Sequence, residues 1–90
     1  MHFEWDPVKA AKNIRKHEVS FKEASSIFYD PLAATGADPD HSESEERLVT
    51  FGVSSAGQLL VVSHTERGEA IRIISARIAT QTERRIYEEG

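Results

Sequence analysis

The stretch RLVTFGVSSAGQLLVVSHTERGEAIRIISAR, residues 47–77, decides the fold. It holds three runs rich in Val, Ile, Leu and Thr, at 48–53, 59–65 and 70–77, the composition of half-buried strands. Between them stand the short turn sequences Ser54-Ser55-Ala56-Gly57 and Glu66-Arg67-Gly68-Glu69. Connections this short force antiparallel neighbours, because a parallel return needs a crossover of about a dozen residues or more. The three runs therefore predict an antiparallel meander. Leu59, Leu60, Val61 and Val62 are apolar at every position, so the middle strand is expected to be covered on both faces or nearly so.

Beyond the meander, Thr80-Gln81-Thr82-Glu83 has the spacing of a capping box and predicts a last helix running to about Glu89. Before it, Phe3 and Trp5 mark a short opening strand, and Asp6-Pro7 supplies an N-cap and a first-turn proline for a helix over 7–17. Val8, Ala11 and Ile14 would form its narrow apolar stripe, with Lys9, Lys12 or Asn13, and Lys16 on other sides. Ser20-Phe21-Lys22-Glu23 is a second capping box, opening a short helix that Asp30-Pro31 stops. A short strand is expected at 32–35, then a polar, acidic loop over 36–46. The whole predicts one compact α+β domain, β-α-α followed by a three- to four-stranded antiparallel sheet and a C-terminal helix, with helices on one face of the sheet.

Composition narrows the function. Ninety residues suffice for one domain of about the smallest size that buries its own core. The chain has no cysteine, which excludes a disulfide framework and thiolate metal ligands. The opening residues lack the basic and then apolar pattern of a signal peptide, and no apolar run approaches the roughly 20 residues that span a bilayer. A cytoplasmic protein without membrane contact is expected. The net charge of −4 is unusual for a nucleic-acid binder, but residues 38–46 contain five acidic residues and no Lys or Arg. The remainder carries 11 basic against 10 acidic residues, with basic clusters at Lys9, Lys12, Arg15 and Lys16 and at Arg67, Arg72, Arg77, Arg84 and Arg85. Asp38-Pro39-Asp40-His41-Ser42-Glu43 opens superficially like a calcium loop, but Glu43 stands where the sharp turn needs Gly and Val49 where the loop needs Glu. No metal and no cofactor are expected; the acidic loop suits a basic partner or repels RNA from one side.

Several segments in order resemble one family: Phe3-Glu4-Trp5-Asp6, Lys16-His17 with Val19-Ser20-Phe21, Ala24 with Phe28, Asp30 and Pro31, then Asp38 to His41 with Glu46-Arg47, Gly52, His64-Thr65, Glu66-Arg67-Gly68, the run from Ile71 to Arg77, and Glu83-Arg84 with Tyr87. Together they resemble the BrnT toxins of bacterial type II toxin-antitoxin systems. The resemblance implies a RelE/ParE-like fold and a metal-independent endoribonuclease that arrests growth by cleaving RNA and inhibiting translation. It also implies neutralisation by a BrnA-type ribbon-helix-helix antitoxin, with two toxins and two antitoxins in the complex and DNA contacted only through the antitoxin. Glu18 departs from the family pattern, which has glycine after Lys-His; a different helix ending is expected there.

RNA is cut without metal when its own 2′-hydroxyl attacks the adjacent phosphate, which takes a base, an acid and cations for the developing charge. His and Arg suit these tasks, so His64, Glu66, Arg67 and Arg77 are the candidate catalytic residues, with Lys9, Lys16, Arg72 and Tyr87 as candidate RNA contacts. Each has a structural reading beside the functional one. His64 ends a strand, Arg67 sits in a turn, Lys9 and Lys16 occupy a solvated helix face, Tyr87 packs beside Ile86, and Arg77 pairs with Glu83 or meets the antitoxin. Trp5 and Phe51 are expected in the core. If the strands are fully extended, Arg77 falls roughly 20 Å from His64 at about 3.3 Å per residue, while Arg72 lies nearer. Two other classes stay open: an inactive module that binds the antitoxin or acts as co-repressor, and a ParE-like toxin directed at gyrase.

Overall fold

The computed structural model describes residues 1–38 and 46–90. In chain order its elements are β1 (His2–Glu4), α1 (Pro7–His17), α2 (Phe21–Ser26), a 3-10 turn (Ile27–Tyr29), β2 (Ala34–Ala37), β3 (Leu48–Val53), β4 (Leu59–Arg67), β5 (Ala70–Ile78) and α3 (Gln81–Glu89). The meander is present, but the sheet is larger than expected and mixed. Its order is β1-β5-β4-β3-β2, with β1 parallel to β5 and the other neighbours antiparallel. The short second strand lies at Ala34–Ala37 rather than 32–35. β4 runs on to Arg67, so the turn shrinks to Gly68-Glu69, with Gly68 taking the positive φ of 62° that this tight reversal requires.

Helix starts follow the local sequence closely. Asp6 accepts from the Val8 amide at 2.8 Å and opens α1. Thr80 and Glu83 form the full capping box of α3. At α2 the box is half made. Ser20 accepts from the Glu23 amide at 3.0 Å, but the Glu23 carboxylate turns away to accept from Ser54 Oγ at 2.6 Å and Gln58 Nε2 at 3.1 Å. A polar side chain at a helix start thereby braces the β3–β4 turn.

The inward face of α1 is not the expected one. Val8 and Ile14 are 60% and 49% exposed, whereas Asn13 is buried. Its Nδ2 donates to Val19 O at 2.9 Å and to Ala76 O at 2.8 Å, and its Oδ1 accepts from the Ala76 amide at 3.1 Å. Three hydrogen bonds to backbone outweigh the modest apolar stripe, because those peptide groups would otherwise be buried unpaired. Around this amide the core collects Val19, Phe21, Ala24, Ile27, Leu60, Val62, Ile73 and Ala76, flanked by Phe3, Trp5, Ala10 and Phe28. Gly52 lets the 3-10 turn approach β3: a Cβ there would meet Ile27 Cβ and Ile27 O, both at 3.0 Å.

α1 and α2 cover one face of the sheet, but α3 does not join them. β2 and β3 turn Ala34 and Phe51 to the opposite face, and both line a groove with Glu83, Ile86 and Tyr87 of α3. Phe51, expected in the core, is half-buried in this groove. Trp5 does pack against the core, its ring edge-on to Phe21 at 6.0 Å. Among the described residues no helix is long and apolar enough to cross a membrane.

Glu18 ends α1 in the left-handed region, at φ 58° and ψ 30°, with its amide donating to Ile14 O at 2.9 Å. The ending is thus the glycine-type ending made by glutamate, not a different one. Left-handed backbone costs an L-residue on the order of 1–2 kcal/mol. Glu18→Gly is therefore expected to raise stability by about 1 kcal/mol, read as a higher urea midpoint at unchanged m-value. Asn13→Leu should lower it by at least about 2 kcal/mol in the same measurement, since it strands buried peptide groups.

Candidate nucleic-acid interface

Strand alternation divides the candidate residues between two faces. On β4, Leu60 and Val62 point into the helix-covered core, and His64 and Glu66 follow on that side; Ser63, Thr65 and Arg67 point the other way. On β5 the parity changes midway. Ser63 pairs with Ser75 but His64 with Ile73, so Ile74 is a bulge residue. Arg72 and Arg77 are five apart and would face opposite sides of a regular strand. The bulge puts both on the second face, away from α1 and α2.

That second face carries an arginine array. At the hairpin end, the parallel pairing of β1 sets His2 beside Ala70 and Glu4 beside Arg72, while Arg67 and Thr65 flank the same two β5 residues from β4. Two rows result, His2–Ala70–Arg67 and Glu4–Arg72–Thr65, with the small Ala70 between two larger polar side chains. Arg72 Nη1 lies 3.6 Å from Glu4 Oε1, both side chains being partly exposed. His2 and Glu4 were not candidates from sequence; the alternation of His2 and Glu4 with Phe3 and Trp5 is the one local signal that they share a face away from the core.

Arg77 sits toward the other end, opposite Val61, and holds α3. Its Nη1 and Nη2 reach Glu83 Oε1 and Oε2 at 2.7 and 2.9 Å. This fork raises the Arg77 pKa, while the Arg77 hydrogen bonds are the main reason Glu83 falls to about 2. Tyr87 is likewise engaged: its hydroxyl donates to Asp30 Oδ2 at 2.7 Å, and Asp30 also accepts from the amides of Val53 and Leu32. The Val53 amide, then the Leu32 amide and the Tyr87 hydroxyl, hold Asp30 below the usual carboxylate range.

His64 is not at the sheet margin. It lies three residues inside β4, 2% exposed, with its ring edge-on to Phe28 at 4.9 Å. Its Nε2 is 2.7 Å from Thr50 Oγ1, which is in turn 2.7 Å from Thr35 Oγ1 on β2. Burial lowers its pKa to about 4, so the ring is neutral near pH 7. Nδ1 has no partner, which favours the tautomer with the proton on Nε2, since an unpaired acceptor is less costly than an unpaired N–H. Arg77 is nearer than expected, its partner Val61 being three residues from His64 or about 10 Å along the strand, yet the two point to opposite faces. The structure thus brings Arg67 and Arg72 together, sets Arg77 farther along the same face, and separates all three from His64 and Glu66. Lys9 and Lys16 are exposed on α1, across the sheet from the arginines. The ion-binding sequence considered at 38–43 falls almost wholly outside the described residues; among those described, no three His, Cys, Asp or Glu side chains cluster as a metal site.

A two-helix layer over one face of a five-stranded sheet, with α3 on the other, is shared with a ribonuclease toxin of a type II toxin-antitoxin system. The crystal structure of the Brucella abortus ribonuclease toxin BrnT superposes with a TM-score of 0.71 at 26% sequence identity, over 90% of this chain and 99% of that one. The model of the family described as "Ribonuclease toxin, BrnT, of type II toxin-antitoxin system" matches residues 5–83. The chain belongs to the BrnT family. No curated protein sequence matches it significantly.

The buried imidazole has a pH signature. Its folded pKa of about 4 lies below the ordinary 6.5, so the unfolded chain binds the proton more tightly. The stability that neutral His64 confers is complete above about pH 6.5 and is lost as the pH falls toward 4. Urea midpoints should therefore decline between pH 7 and pH 5, and His64→Gln should flatten that decline.

Proposed function

We propose that this toxin cleaves RNA without metal on the second face of its sheet, with Arg67 and Arg72 binding the scissile phosphate. The observation that carries the reading is the β5 bulge, which turns Arg72 onto the face of Arg67 and Arg77. In the reaction the RNA 2′-oxygen attacks phosphorus, the 5′-oxygen leaves, and a 2′,3′-cyclic phosphate forms. The fixed guanidinium forks oppose the charge gathering on the phosphate oxygens. Solvent water accepts the 2′-hydroxyl proton and protonates the leaving 5′-oxygen, while Glu66, exposed at the tip of the same hairpin but on the opposite face from Arg67 and Arg72, contributes less. His64 is a positioning residue that ties β4 to β3 through Thr50. Arg77 holds α3 beside the site through Glu83. Lys9, Lys16 and Tyr87 contribute less to RNA binding, the lysines by their place across the sheet and Tyr87 because its hydroxyl braces Asp30.

The growth arrest that follows from RNA loss and failed translation is cytoplasmic, and it is relieved by a BrnA-type ribbon-helix-helix antitoxin, two toxins binding one antitoxin dimer. A second reading, an inactive antitoxin-binding module, draws on the net charge of −4 and on Glu4 and Glu83 already engaging Arg72 and Arg77. Induction without antitoxin separates the two. Wild type should stop growth and degrade total RNA on a gel, and the purified protein should cut RNA in EDTA. Arg67→Ala and Arg72→Ala should each lose on the order of 10²-fold in cleavage, and His64→Gln should lose far less. A harmless wild type with intact RNA would transfer the conclusion to the inactive module.

A further inference from the structure

Beside the sheet face lies a second unassigned surface, made of an open strand edge and an apolar groove. β2 is the edge strand opposite β1, and all four of its residues are exposed. The Asp38 amide donates to Arg47 O at 2.9 Å, which fixes the hydrogen-bonding parity of the β2–β3 ladder. Asp38, Gly36 and Ala34 turn their peptide groups to β3, and Thr35 and Ala37 turn theirs outward. An edge of unpaired peptide groups is a template for another strand, and nothing on β2 guards it: Ala34-Thr35-Gly36-Ala37 contains no charge, no proline and no bulky side chain.

The groove adjoins this edge on the second face. It has a volume of about 650 Å³ and is lined by Leu32, Ala34 and Phe51 on one wall and Ile86, Tyr87 and Glu88 on the other. Leu32 and Ile86 are 74% and 68% exposed, although each is large enough to stabilise a core. A Cβ built on Gly36 meets nothing within 4 Å, so side chains of an added strand have room to lie over β2 and into the groove.

We propose that this edge and groove receive an extended segment of the antitoxin, which adds as a sixth strand beside β2 and lowers alternate apolar side chains between Phe51 and Ile86. Strand addition gives affinity through backbone hydrogen bonds and specificity through alternate side-chain pockets. The segment is basic as well as apolar. The toxin chain carries a net charge of −4, and the groove is lined by Glu83 and Glu88 with no Lys or Arg among its lining residues. The inference rests on the toxin reading above and locates the antitoxin away from the arginine rows at the hairpin end.

The test uses the full chain and the protein encoded by the adjoining gene. Ala37→Pro removes an outward-facing amide without removing a β2–β3 ladder bond, and Leu32→Asp and Ile86→Asp place charge in the groove at exposed positions where folding does not depend on them. Each variant should bind the antitoxin at least about tenfold more weakly, equal to about 1.4 kcal/mol, and arrest growth despite antitoxin co-expression, while remaining as toxic as wild type when expressed alone. Hydrogen exchange gives an independent reading: the Thr35 and Ala37 amides should become protected in the wild-type complex. Wild-type affinity in all three variants, or unprotected Thr35 and Ala37 amides in a stable complex, overturns the docking site and leaves the toxin reading standing. Free chain that dimerises through β2 assigns the edge to a second copy and also overturns it. A wild-type chain that neither arrests growth nor binds the antitoxin removes the toxin reading and this inference with it.

Discussion

The side-chain amide of Asn13 is the interaction on which the remaining architecture depends. It joins three parts of the chain that are distant in sequence: α1, the turn into α2 at Val19, and β5 at Ala76. By taking both peptide groups of Ala76, it fixes that residue as the inward one. Its neighbours Ser75 and Arg77 must then face outward, and the bulge at Ile74 brings Arg72 to the same side. A buried amide with unmet bonding needs has few acceptable positions, so this contact specifies strand parity more sharply than apolar packing, which tolerates several arrangements.

Parity, in turn, separates structural from chemical work. One face of the sheet is committed to the core, and the imidazole of His64, neutral and tied to Thr50, belongs to it. The other face holds arginines at two stations, Arg67 and Arg72 by the hairpin and Arg77 under α3. Along the sequence, the acidic excess of the chain falls largely at 38–46. A protein with net charge of −4 can therefore present a local cationic surface, because field strength near a phosphate depends on the groups within about a Debye length, roughly 8–10 Å, rather than on the total.

What was legible in the sequence was local. Helix starts at Asp6, Ser20 and Thr80 depend on side chains two or three residues from the amides they cap, and the meander depends on β-rich runs with short turns. The parallel docking of β1 on β5 joins residues about three-quarters of the chain apart, as His2 and Ala70 are, and no local pattern announces it. The orientation of α1 was misread because an apolar stripe of Val8, Ala11 and Ile14 is visible in sequence, whereas the value of Asn13 appears only when Val19 and Ala76 stand beside it. Candidate site residues could be chosen only by chemical type, because sequence proximity along a hairpin conceals that His64 and Glu66 take one face and Arg67 and Arg77 the other.

The most direct test of the account is to locate RNA on the protein. A short oligonucleotide carrying 2′-O-methyl groups, which cannot be cleaved by 2′-hydroxyl attack, can be titrated into isotopically labelled chain while backbone amide shifts are followed. Perturbations should concentrate at the hairpin end of the second face, at Thr65, Arg67, Ala70 and Arg72 with His2 and Glu4 beside them, and leave α1 unchanged. Shifts centred on Lys9, Lys16 and their neighbours on α1, with the hairpin silent, would contradict it.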